Sequence, residues 1–215
     1  MILHGGAGSN QPSAMKAYDH AYYDRWYRHP RHRVSKEPDR ERKVHLAVSV
    51  AEYVIGRVIR SVLDIGCGEG LWYLILRRLR PDIRYIGVDP SEYAVTRYGA
   101  SRHIRRGSFG TFDRLRLPST FDLVVCADAL QYVTDDDAAR GLRAIRDRLH
   151  GPHGGVAYIE AYTTEDDMIG DREDWVERSA ADYRRLLRRA DLTLCGPQCY
   201  TDLDYLRRPL SFDHA

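Results

Sequence analysis

"SVLDIGCGEG", residues 61–70, sets an apolar run and one acid before three glycines at alternate positions, Gly66, Gly68 and Gly70. Glycines so spaced remove side chains from a turn and let a ligand approach the backbone closely. The run before them reads as a buried strand. "LWYLILRRLR" after them reads as a helix stopped by Pro81. A strand feeding a glycine-rich turn and a helix opens several nucleotide-binding folds, so the loop alone does not name its ligand.

Outward from this loop the alternation continues. "RYIGVD" (84–89) is a second strand, followed by a helix that Ser91 caps and that runs to about Arg102. A third, weaker strand is expected in "HIRRGSF" (103–109), and "FDLVVCA" (121–127) is a clear fourth. Thr134 then caps a helix with Asp135, Asp136 and Asp137 in its first turn and Arg146, Arg148 and His150 at its end, before Gly151. That charge order complements the helix dipole, which makes the acid trio a cap and not a metal site. "GVAYIEAYT" (155–163) is a fifth strand, "DWVERSAADYRRLLRRA" (174–190) a helix and "LTLCGPQCY" (192–200) a sixth strand. Upstream, "PDRERKVHLAVSVAEYVIG" (38–56) reads as a helix from Pro38 to Gly56. The pattern predicts a doubly wound Rossmann-like α/β domain, a mostly parallel sheet with helices on both faces.

The chain of 215 residues suits one domain with a small appendage. Its formal net charge of +2 does not predict a nucleic-acid surface, and its 30 arginines against 3 lysines are read mainly as genomic codon bias. Cys67, Cys126, Cys195 and Cys199 lack zinc-ligand spacing, as do His29, His32 and His45; no metal is expected, and reduced thiols suggest the cytoplasm. No stretch has the length of a membrane span. Residues 1–16 read as a flexible leader, 17–56 as an N-terminal helical lid and 57–215 as the catalytic domain.

The glycine spacing narrows the ligand. A dinucleotide loop needs G-x-G-x-x-G, and the third position falls on Leu71 or Tyr73; the lysine of a triphosphate loop is also missing. Asp64, two residues before Gly66, would repel a pyrophosphate and attract an amino group. Asp89 ends the second strand, where a carboxylate accepts ribose hydroxyls. A ligand with ribose and an amino group but no pyrophosphate is required. S-adenosylmethionine fits.

From about Ser61 to Glu160 the chain resembles the class I S-adenosylmethionine-dependent methyltransferases, of the small-molecule type. "VLDIGCGEG" resembles their first motif, which implies Asp64, Gly66 and Gly68 around the methionine part. "YIGVDPSEYAV" resembles the second, which implies Asp89 on the ribose and Pro90 and Ser91 beside the adenine. "FDLVVCADALQYV" resembles the motif that closes the cofactor site. Where the family usually has Gly-Asp facing the adenine amino group, this chain has Gly110-Thr111-Phe112, so a threonine hydroxyl and a covering ring replace a charge-assisted contact. Gln131 stands where many relatives have a histidine.

Asp128, Gln131 and Tyr132 follow the fourth strand and are the candidates facing the transferred methyl, with Asp128 first as base or orienting group. Glu160 and Tyr162 share that rim. In related small-molecule enzymes the N-terminal segment folds over the cofactor as a lid. Of Tyr22, Tyr23, Trp26 and Tyr27, Tyr23 and Tyr27 are the candidates to line the site, with Arg33 on the cofactor carboxylate. The expected activity is methyl transfer to oxygen or nitrogen of a small molecule, by a monomer or homodimer. The alternatives are an RNA or protein methyltransferase and a cofactor-binding module without transfer.

Overall fold

The computed structural model describes residues 16–34, 36–151, 154–167, 170–202 and 204. Of the expected leader, residues 1–15 lie outside the described residues.

Strand β1 (Ser61–Ile65) is buried from Val62 to Ile65, as befits a central parallel strand covered on both faces. It pairs in parallel with β2 (Arg84–Asp89) on one side and β4 (Leu123–Ala127) on the other. β3 (Ile104–Arg106) extends the first side and β5 (Val156–Glu160) the second, both parallel. The sheet order is β3-β2-β1-β4-β5-β7-β6, so the winding reverses between β1 and β4. In such sheets that crevice, at the carboxyl ends of the strands, is where ligands bind.

The segment 192–200, expected as one strand, folds as a hairpin of β6 (Leu192–Gly196) and β7 (Cys199–Asp202), with β7 antiparallel to β5. Pro197 cannot donate to a ladder, and Gln198 takes φ 56°, so the chain turns there.

Helix α2 (Glu37–Ile55) ends at Gly56 in the left-handed conformation. It buries Val44, Ala47, Val48 and Ala51 with α3 (Leu71–Leu79) against Val62, Val125 and Tyr158. The opposite face carries α5 (Asp135–Leu149) and α6 (Ala180–Arg189), whose Leu142, Ile145 and Leu187 pack on Leu63, Val124 and Ala157. α4 (Glu92–Arg102) flanks β2 and β3. α2 is thus a layer of the core, while residues 16–34, with α1 (His20–Tyr23) and a π turn over Asp24–Arg28, cross the carboxyl edge. The lid expected over 17–56 is two structures.

Caps set the helix starts. Ser91 accepts from the Ala94 amide at 3.0 Å, and Thr134 from that of Asp137 at 3.3 Å. α6 starts six residues later than the expected 174, behind a reciprocal cap between Ser179 and Asp182. Before it, Arg178 is buried with its guanidinium on the Leu130 and Val133 carbonyls and on Asp135, which holds that stretch out of a helix. All four cysteines are free, and among the described residues no helix is long and apolar enough to cross a membrane.

Candidate active site

Gly66, Gly68 and Gly70 all adopt positive φ (75°, 54° and 70°), which is the physical reason for glycine at each alternate place. A β-carbon on Gly66 would stand 2.5 Å from that of Ala129, so the loop passes hard against the segment after β4. The Gly66 amide donates to the Val88 carbonyl at 2.8 Å, tying the loop to β2.

Two carboxylates flank this loop. Asp89 accepts from the Gly68 amide at 2.6 Å and the Ser91 amide at 2.9 Å. Asp64 accepts from the Tyr85 hydroxyl at 2.7 Å. Both are nearly inaccessible to water, and burial pushes Asp64 up to about 7 and Asp89 up to about 6.

Across the crevice, Asp128 stands just beyond β4 in the left-handed region, at φ 58°. Its amide donates to the Glu160 carbonyl at 3.0 Å, which fixes that turn to the end of β5. Lys43, from α2, lies 2.6 Å from the Glu160 carboxylate and 3.9 Å from that of Asp128. Tyr158 donates toward Glu160 at 3.1 Å and to the Gln198 amide oxygen at 2.7 Å. Asp128 is pushed up to about 6, first by burial and then by Glu160, against the opposing pull of Lys43.

The N-terminal aromatics lie over the middle of the crevice. Tyr23 is buried, with its ring 3.4 Å from where a Gly68 β-carbon would be and its hydroxyl directed to Asp89 and Ser91. Arg28 forms an ion pair with Glu69 of the glycine loop, so the π turn is latched to the loop it covers. Two cavities lie near these aromatics. One of about 60 Å³ lies among Tyr27, Arg40, Lys43, Asp64, Gly66 and Asp128. The other, of about 620 Å³, lies among Tyr18, Pro90, Ser91, Glu92 and Tyr132.

The fold therefore brings together Asp64, Gly66, Gly68, Asp89, Pro90, Ser91, Tyr23, Tyr27 and Asp128. It places others elsewhere. Phe112, expected over the adenine, is fully buried in the core beside Phe109. The Gly110 carbonyl accepts from Arg140 at 2.6 Å, and the Thr111 hydroxyl serves Ser108 at 2.9 Å, so both are engaged locally. Arg33 is exposed and its amide caps the turn at His29, while Arg40, one helix start later, reaches the cavity. Gln131 is buried, its amide donating to the Asp128 carbonyl at 3.0 Å. Tyr132 donates to the Asp171 carbonyl at 2.6 Å and lines the larger cavity, not the one holding Asp128. Arg40, Lys43 and Glu69 were missed. Arg40 extends the buried stripe of Val44, Val48 and Ala51 toward the sheet's carboxyl edge, a polar end to an apolar face that marks an approach to the site.

Residues 63–156, from β1 to the start of β5, match the family model described as a methyltransferase domain. These residues thus carry a methyltransferase domain. Among solved structures, this chain is similar to the sugar N-methyltransferase KedS8 from a Streptoalloteichus species. The identity is 18%, the coverage 94% of this chain and 99% of that one, and the TM-score 0.61. DesVI of Streptomyces venezuelae is similar at 16% identity over 71% of this chain and 85% of that chain, with a TM-score of 0.55. The plantazolicin methyltransferase BpumL, solved with S-adenosylhomocysteine, is 16% identical over 72% of this chain and 66% of that chain, with a TM-score of 0.58. At these identities the likeness is one of fold. No curated protein matches the sequence.

S-adenosylmethionine is the cofactor that the resemblance of the motifs at 61–70 and 85–95 implies. The residues fit it: three glycines leave a cradle free of side chains, and buried acids stand at both ends of it. The small cavity is far below the several hundred cubic ångströms that enclose a ligand of this size.

Proposed function

We propose that this methyltransferase transfers the methyl group to oxygen or nitrogen of a small-molecule acceptor by in-line displacement. The observation that carries this reading is a separate recess of about 410 Å³ beside the cofactor crevice, lined by Val34, Lys43, Leu46, Tyr158, Tyr162 and Gln198. Val34 and Lys43 also line the cavity that holds Asp64 and Asp128, so the recess abuts the crevice. Its size suits a small ligand and not a polymer. The near full-length likeness to KedS8, named as a sugar N-methyltransferase, supports the same class.

In this reading Asp64 meets the amino group of the methionine part and Gly66 and Gly68 give it backbone to lie on. Asp89 holds the ribose, Pro90 and Ser91 flank the adenine, and Tyr23 and Tyr27 cover the cofactor. Arg40 takes the carboxylate role expected of Arg33. The sulfonium supplies an already activated methyl, so the chain's own task is alignment and exclusion of water. Asp128 orients the acceptor, and the latch between Arg28 and Glu69 keeps the cover closed. We place the protein in the cytoplasm as a monomer or homodimer.

Tritium transfer from labelled S-adenosylmethionine to small amines and alcohols, against bulk RNA and protein, tests this. Label in small molecules is expected. Label confined to RNA or protein, with binding that falls steeply in salt, would favour the macromolecular alternative.

A further inference from the structure

We infer that the acceptor is an amine, bound as its ammonium by the unpartnered Oδ1 oxygen of Asp128 and released to react by proton transfer to that carboxylate. The inference rests on the small-molecule reading above and narrows it.

Three observations meet at this residue. First, Asp128 Oδ1 is shielded from water and has no hydrogen-bond partner, which is costly for a carboxylate oxygen unless a ligand supplies a donor. Second, Asp128 adopts a left-handed backbone that a non-glycine residue enters at a cost, and its amide is pinned to the Glu160 carbonyl. The position is held, not accidental. Third, the local charges do not cancel. Lys43 is committed to Glu160, at 2.6 Å against 3.9 Å to Asp128, and among the described residues Arg40, in the same cavity with Asp64, forms no ion pair with Asp128. An ammonium arriving beside Asp128 would meet a carboxylate with no close cation, an attraction that a neutral hydroxyl lacks.

The surroundings favour the same class. Tyr27 from the N-terminal turn and Tyr162 beyond β5 both sense the Asp128 charge, and tyrosine faces are good neighbours for a cation. The step balances. An acceptor R–NH3+ gives one proton to the Asp128 carboxylate, exposing its lone pair. That pair attacks the methyl carbon as the carbon–sulfur bond breaks, its electrons staying on sulfur. The products are R–NH2+–CH3, S-adenosylhomocysteine and protonated Asp128, which returns its proton to solvent. The position of Asp128 near 6 suits acceptance of a proton close to neutral pH.

The test uses the full chain, labelled S-adenosylmethionine, and matched acceptors that differ only in amine against hydroxyl, such as aminohexoses and the parent hexoses. Label is expected in the amines, and Asp128→Asn should lower kcat/KM for them at least 100-fold while S-adenosylhomocysteine affinity stays within about twofold. Glu160→Gln frees Lys43 to pair with Asp128 and should raise KM more than it lowers kcat. Transfer to alcohols alone would overturn the amine assignment and leave the small-molecule reading standing. Transfer to neither series, with label in RNA or protein, would remove both. Amine methylation undiminished in Asp128→Asn would show that another group holds the acceptor.

Discussion

Across the carboxyl edge of the sheet, the β1–β2 side and the β4–β5 side each hold a pair of acids, but by different means. On the first, Asp89 is held by two amides from the loops beside it, and Asp64 by Tyr85 of the neighbouring strand. On the second, Glu160 and Asp128 depend on Lys43, which arrives from α2 on the far side of the sequence motif. The first side is a product of local backbone geometry and tolerates little change in the loops. The second is a meeting of side chains from distant elements, which can be altered without disturbing the sheet. Such a division lets one cofactor cradle serve with many acceptor pockets.

The comparison breaks most visibly if the cover is removed. Deleting residues 1–34 takes away Tyr23, Tyr27 and Arg28 but leaves α2 and its buried stripe in place. Turnover should fall by at least about 100-fold, because a small loss of alignment has that effect, while the core still unfolds cooperatively. Normal turnover in the deleted chain would show that these tyrosines only pack. Next in size, Gly66→Val should weaken S-adenosylhomocysteine binding on the order of 100-fold. It adds left-handed strain of about 1–2 kcal/mol and a collision with Ala129, whose overpacking costs about 1–3 kcal/mol. Gly68→Ala, which meets only the Tyr23 side chain at 3.4 Å, should do much less in calorimetry. Equal losses would mean that the backbone approach at Gly66 is not special.

The same contrast explains what could be read in advance. The order of strands and helices up to β5, the caps at Ser91 and Thr134 and the positive-φ turn at the glycines follow from short-range patterns, and the structure carries these. Phe112 and Gln131 sit in motif positions, yet their neighbours are set by how α5 and the segment at Arg178 pack, which no local pattern states. Lys43 looks like an ordinary helix-surface lysine until β5 is placed beside it. The hairpin at Pro197 reads as one strand in the sequence, although a proline inside an expected strand argues for a turn.

A narrower break concerns Asp89. Asp89→Ala removes the carboxylate held by the Gly68 and Ser91 amides and should weaken cofactor binding by about 1.5–3 kcal/mol, roughly ten- to 150-fold. An unchanged dissociation constant would show that the ribose is held elsewhere, and the cradle would lose one of its two anchors.

The smallest effect is on the stability of the cofactor-free chain with pH, and its sign follows from burial. Asp64 is raised from 3.8 to about 7 and Asp89 from 3.8 to about 6, so between about pH 4 and 7 the folded chain binds more protons than the unfolded one. Stability supplied by these two neutral carboxyls is fully present below their unfolded pKa and is lost as pH rises through the folded values. Asp128, raised to about 6, adds the same sign from the other side of the crevice. Asp122, which Arg57 and the Arg60 amide hold below the usual carboxylate range, acts oppositely but only below that window. The midpoint of thermal unfolding should therefore decline from pH 5 to pH 8. Asp64→Asn keeps an acceptor for the Tyr85 hydroxyl and removes one ionisation, so its decline should be shallower and its midpoint at pH 8 higher than in the unaltered chain. Two parallel curves would mean that Asp64 ionises as freely when folded as when unfolded, and that the cradle holds it by water and not by burial.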